Sequence, residues 1–108
     1  MKLYISGPMS NMPEYNFPAF NKAAFDLEEC GFVVENPATK GVIDGWTWSN
    51  YLRYDLRRLL DCEGVATLDG WEGSRGALLE VHVASQLEMP VRSVSEWISW
   101  DWRKGEAA

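Results

Sequence analysis

The sequence predicts an α/β fold: a single-domain, Rossmann-like (flavodoxin-like) open and mostly parallel sheet of four to five strands with helices on both faces. Three observations point there. Short apolar runs alternate along the chain with segments whose apolar residues recur at helical period. Turn signals, Gly7-Pro8, Gly31 and Asn36-Pro37 among them, fall between the two kinds of segment. The links between successive strands are long enough to hold the crossover helices that parallel strands require.

Leu3-Tyr4-Ile5-Ser6 reads as a short buried strand that stops at Gly7-Pro8. From Phe17 to Cys30 the apolar positions Phe20, Ala23, Ala24 and Leu27 follow the i, i+3, i+4, i+7 rule, and Gly31 stands where a left-handed residue ends a helix. Phe32-Val33-Val34-Glu35 is the second strand, closed by Asn36-Pro37, and Ala38 to Gly45 reads as a mobile loop. A second helix begins near Thr47 or Ser49, either of which can cap it, and carries the stripe Leu52, Leu56, Leu59 and Leu60. Val65-Ala66-Thr67-Leu68 is the third strand. A loop with three glycines, Asp69 to Gly76, leads into a helix through Ala77, Val81, Ala84 and Leu87. Val91 to Val94 is the fourth strand, and Ser95 to Trp102 is a short amphipathic piece carrying Trp97, Trp100 and Trp102. In open sheets of this kind ligands sit outside the carboxyl ends of the strands, where the strand order reverses. That places Ser6 to Ser10 and the Asp69 to Gly76 loop on one rim.

At 108 residues the chain is one domain, 1–108, with the tail from 103 expected to be flexible. Sixteen acidic against 10 basic residues leave a charge of −6, which repels a phosphate backbone, so long nucleic acid is not an expected partner. A small anion remains possible, because a few backbone N–H groups and one helix N-terminus can bind a phosphate against the global sign. No stretch reaches the roughly 18 apolar residues of a membrane span, and Met1-Lys2-Leu3-Tyr4-Ile5 has no signal-peptide pattern. A cytoplasmic protein with no membrane partner is expected. Cys30 and Cys62 read as free thiols, and with one histidine and no Cys-x-x-Cys spacing no metal site is expected.

Two acids break the stripes of their own helices. Asp55 lies three after Leu52 and four before Leu59; Glu80 lies three after Ala77 and four before Ala84. Both should face inward, where a carboxylate is costly unless it is paired, hydrogen-bonded or protonated. Burial raises its pKa, which suits a proton donor or, held ionised by hydrogen bonds, a nucleophile in a dry site. The alternative is a helix-edge carboxylate paired with Arg53, Arg57 or Arg58, or simply solvated. Ser74 can cap the helix after the glycine loop while facing a phosphate, or be an ordinary cap. Trp46 and Trp71 can stack a base or cover the core edge. His82 lies two after Glu80, on a different face. The three C-terminal tryptophans fit packing or a subunit contact, and a homo-oligomer is expected.

Tyr4-Ile5-Ser6-Gly7-Pro8-Met9-Ser10, Asn16-Phe17-Pro18-Ala19-Phe20-Asn21 and Gly70-Trp71-Glu72-Gly73-Ser74-Arg75-Gly76-Ala77-Leu78-Leu79-Glu80 together resemble the nucleoside 2-deoxyribosyltransferase-like superfamily. More narrowly they resemble its small branch common in bacteriophages and prophages, related to deoxynucleoside 5′-monophosphate N-glycosidases. The resemblance implies that Glu80 attacks the anomeric carbon of a deoxyribose and that Asp55 helps to protonate or position the departing base. Family transferases acting on free nucleosides carry an Asp six before the nucleophile, and the monophosphate hydrolases resemble this chain in carrying a Ser, here Ser74. The resemblance thus implies a phosphate cradled by Gly7, Pro8, Met9 and Ser10 with Ser74 and Gly76. Tyr4, Trp71 and Asp69 are further candidates for contact with the substrate. Asn11 stands where the branch usually shows a glycine.

The leading expectation is therefore an N-glycosidase of a common or modified 2′-deoxynucleoside 5′-monophosphate, working by way of Glu80 with no cofactor. A protein that binds a nucleotide without cleaving it, a deoxyribosyl transferase and an interaction protein built on the tryptophans are the alternatives.

Overall fold

A computed structural model describes residues 1–100; the expected tail and Trp102 lie outside the described residues. Four strands, β1 (Lys2–Ser6), β2 (Val33–Glu35), β3 (Gly64–Thr67) and β4 (Val91–Ser93), form one sheet in the order β2-β1-β3-β4. Every pairing is parallel, so the expected mostly parallel sheet of four to five strands is a fully parallel sheet of four. The helices α1 (Phe17–Glu29), α2 (Trp48–Leu60) and α3 (Arg75–Gln86) make the crossovers, and α4 (Val94–Ser99) follows β4.

Strand side chains alternate between faces, and that alternation builds two separate cores. Leu3, Ile5, Ala66 and Leu68 meet Phe20, Ala23, Ala24 and Leu27 of α1 and Trp97 of α4. Tyr4 and Val65, on the opposite face, meet Leu59 of α2 and Ala84 of α3. Trp97 is fully buried, and its indole N–H donates to the Val65 carbonyl at 2.7 Å. Gly64 makes room for it, since a Cβ there would lie 3.0 Å from the indole. This tryptophan is therefore a core residue rather than part of a subunit contact, and Trp100 packs half-buried beside it.

Local signals explain the element ends. Thr47 caps α2, its hydroxyl accepting from Asn50 N while the Asn50 side chain accepts from Thr47 N, which decides between the two expected caps. Ser93 forms a similar box with Glu96 at the start of α4. The segment expected as a mobile loop is partly ordered by sequence-local chemistry. Asn36 Oδ1 accepts from Ala38 N at 3.0 Å and starts a 3-10 turn over Pro37–Lys40. Further on, the Tyr51 hydroxyl holds Ile43 through both its N–H and its carbonyl. Cys30 and Cys62 are free, and no helix of the described residues is long and apolar enough to cross a membrane.

Candidate active site

The chain passes from β1 outward to β2 on one side and then back across to β3 on the other, so the strand order reverses between β1 and β3. A cavity of about 720 Å³ opens at their carboxyl ends, within the usual ~300–1,000 Å³ of small-molecule sites. Gly7 sits at its edge where β1 gives way to a loop. A Cβ on Gly7 would lie 2.7 Å from the Leu68 Cβ, so the residue has to be glycine for the two rim segments to approach.

Glu80 is brought to this cavity by the stripe of α3, between Ala77 and Ala84, and is 6% exposed. The strand period does the rest. Tyr4 and Ser6 alternate with the core residues Leu3 and Ile5 and so face α3. Tyr4 Oη donates to Glu80 Oε2 and Ser6 Oγ to Oε1, each at 2.7 Å. Burial pushes the Glu80 carboxyl up to about 7 against the two hydrogen bonds, which favour its charged form, and the Asp55 charge adds to the rise. The Tyr4 phenol, desolvated and next to that carboxylate, is held well above its ordinary value and remains a donor.

Asp55 reaches the same cavity from α2 and is 9% exposed. Its partner is Lys40, not one of the arginines of its own helix: Lys40 Nζ lies 2.6 Å from Asp55 Oδ1 and also donates to the Pro37 carbonyl at 2.9 Å. Burial raises the Asp55 carboxyl and the hydrogen bond from Lys40 opposes the rise. Arg58 instead pairs with Glu35 at 3.2 Å, and Arg53 and Arg57 are exposed.

Gly7, Pro8, Met9 and Ser10 line the cavity as expected, and so do Ser74 and Gly76. Ser74 caps α3, its Oγ accepting from Ala77 N at 3.2 Å, so the positive end of a 12-residue helix is at the cavity wall. Asn11, also in the wall, has φ 64°, the left-handed region that glycine enters most easily and asparagine next. That explains how an asparagine fills a position where a glycine was expected. Glu14, Tyr15 and Asn16 are left-handed too, and the Asn16 amide ties this turn to the Pro8 carbonyl at 2.9 Å.

Asp69 and Trp71 do not line the cavity. The chain turns at Gly70, with φ 83°, passes through a 3-10 turn over Trp71–Gly73, and meets the wall only at Gly73. Of the two tryptophans considered for stacking, the one at the wall is Trp46, packed edge-on against Tyr51 at 5.1 Å. Trp48 is there as well, with the Arg75 guanidinium stacked 3.9 Å above its ring. His82 is exposed and outside the cavity. The sequence did not announce Lys40 as a site residue, and it placed Ser6 on the rim without its contact to Glu80. For Ser6 a signal existed, the strand period shared with Tyr4; for Lys40 the approach of the 3-10 turn to α2 is a tertiary fact. Among the described residues, no group of three or more His, Cys, Asp or Glu side chains is placed to hold a metal ion.

The fold matches that of the 2-deoxyribosyltransferase from the psychrotolerant bacterium Bacillus psychrosaccharolyticus, with a TM-score of 0.67 and 18% identity over 84% of this chain and 69% of that one. No curated protein matches the sequence. A family model described as a domain of unknown function, DUF4406, matches residues 1–93, and the chain belongs to that family.

Proposed function

We propose that the protein is an N-glycosidase that hydrolyses the base–sugar bond of a 2′-deoxynucleoside 5′-monophosphate, with Glu80 as nucleophile. The observation that carries this reading is the buried Glu80 carboxylate at the cavity wall, each oxygen held by one hydroxyl, Tyr4 on one side and Ser6 on the other. Each oxygen keeps a lone pair, and the two donors prevent the group from turning. A carboxylate stripped of water but oriented is a strong nucleophile once ionised, and a value near 7 makes the ionised form available at neutral pH.

The reaction runs in two displacements. A Glu80 oxygen bonds to the anomeric carbon as the bond to the base breaks, with its electron pair leaving on the base nitrogen, which takes up a proton. Water then attacks the same carbon, the ester to Glu80 breaks, and the carboxylate is restored. Asp55 and Lys40 stand together at the cavity wall, and in this reading they assist the departing base. The amides of the first turn of α3, with Ser74 and Gly76, and the Gly7 to Ser10 loop suit a 5′-phosphate. Trp46 offers a wall for the base.

The structural neighbour carries the name of a deoxyribosyltransferase, which favours transfer as a second reading, with a free base in place of water in the second displacement. One assay separates the outcomes. The protein is incubated with common and modified deoxynucleoside monophosphates and the matching nucleosides, with and without a second free base, and the products are resolved by chromatography. Free base from monophosphates is expected. An exchanged nucleoside points to transfer, and no base from any compound overturns the reading.

A further inference from the structure

We propose that Lys40 is the proton donor to the departing base, and that Asp55 is the carboxylate that holds Lys40 in place for it. This rests on the N-glycosidase reading and assigns a residue within that same site.

The pair is built for a fixed lysine. Its side chain is 9% exposed, and its stem begins in a 3-10 turn that is itself pinned: Asn36 caps the turn, and the Asn36 amide donates to Asn21 Oδ1 of α1 at 3.0 Å. Nζ lies 2.6 Å from Asp55 and 2.9 Å from the Pro37 carbonyl, and it stands over the Tyr51 and Tyr54 rings at 5.8 and 5.5 Å. An ammonium has three donors. Two are used here, and among the described residues the third has no acceptor, while Lys40 lines the cavity together with Glu80.

Between an amine and a carboxylate the shared proton belongs to the amine, the far stronger base. Asp55 in this contact therefore has no proton of its own to give, and its part is to orient the ammonium. Of the other acidic groups at the wall, Asp44 and Tyr15 are exposed and have no hydrogen-bond partner among the described residues to orient them, and the rest are otherwise engaged. Tyr4 donates to Glu80, Tyr51 donates to the Ile43 carbonyl, and the Arg75 guanidinium is too weak an acid to release a proton. The step balances: as the anomeric carbon moves from the base nitrogen to a Glu80 oxygen, that nitrogen takes a proton from Lys40 Nζ. In the second displacement the attacking water gives a proton to the neutral amine, and Lys40 returns to its starting charge.

The test compares two leaving groups on one enzyme. An ordinary purine monophosphate needs a proton on its base, whereas its N7-methylated counterpart releases a neutral base without one. Lys40→Arg keeps the charge beside Asp55 but has no transferable proton at working pH, so it carries the test, with Lys40→Met beside it and thermal melts to show that each is folded. Both variants should lose about 10²- to 10⁴-fold on the ordinary purine and match the wild type on the methylated one. Glu80→Gln should fail on both. An equal loss on the two substrates, or no loss by Lys40→Arg, overturns the assignment to Lys40 and leaves the glycosidase reading intact. Absence of base release by the wild type from both purines overturns the assignment to Lys40, and the glycosidase reading falls with it only where no other monophosphate yields base.

Discussion

One face of the sheet carries α1 and α4 and is packed with Leu3, Ile5, Phe20, Leu27 and Trp97; the other carries α2 and α3 and has Tyr4, Ser6, Asp55 and Glu80 among its buried residues. Both are laid down by the same alternation of side chains along β1 and β3. The first face is apolar and closes on itself; of its two indole N–H groups, that of Trp97 is satisfied by a strand carbonyl and that of Trp100 is buried with no hydrogen-bond partner among the described residues. The second contains groups that are each costly to bury and are made tolerable by one another, Glu80 by two hydroxyls and Asp55 by a lysine. The larger apolar core thus lies on one side and the buried acids on the other, and the two sides should respond to different perturbations.

The sharpest break in that contrast is Trp97→Ala. It removes the largest fully buried side chain from the apolar face and leaves the cavity beside Gly64 unfilled, so unfolding in urea should show a loss of about 3–5 kcal/mol that does not vary with pH. The carboxylate face should behave in the opposite way. Glu80 titrates near 7 when folded and near 4.5 when not, so the folded protein binds the proton more tightly and stability is greatest below about pH 4.5 and falls as pH rises through 7. The fall amounts to on the order of 3 kcal/mol and should be missing from Glu80→Gln, which subtraction of the two urea-melt series at several pH values will show.

A smaller effect tests the seam between the faces. Gly7→Ala forces its new methyl against Leu68, at 2.7 Å, and should cost about 2 kcal/mol by the same melts while weakening ligand binding at the rim. Smaller still are Tyr4→Phe and Ser6→Ala. Each removes one hydrogen bond that favours the Glu80 anion, so the acid limb of base release should move to higher pH by about one unit. A limb unmoved by either change would mean that Glu80 ionisation does not govern the rate.

The fold was open to reading because every crossover helix has a clear apolar stripe and each of the first three strands a turn signal after it. Asp55 and Glu80 were readable for a related reason, as acids standing where a stripe demanded apolar residues. Partners were harder. The arginines next to Asp55 in sequence suggested themselves, yet Arg58 is drawn to Glu35 and the cation that arrives is Lys40, from a turn whose approach depends on contacts between Asn36 and Asn21. Tyr4, singled out as a candidate for contact with the substrate, lines the cavity, and its hydroxyl donates to Glu80. Ser6 needed only one further step, that two residues apart on a strand share a face. Trp97 hid its role because the space it fills is made by a missing side chain at Gly64 of β3, distant in sequence.

The central claim is that Glu80 attacks the sugar, and base release by Glu80→Gln, measured beside the wild type on the best monophosphate substrate, tests it most directly. With the variant shown to be folded, release should fall by at least ~10³-fold, because an amide cannot form and surrender the glycosyl ester. Release by the variant at the wild-type rate would contradict the account.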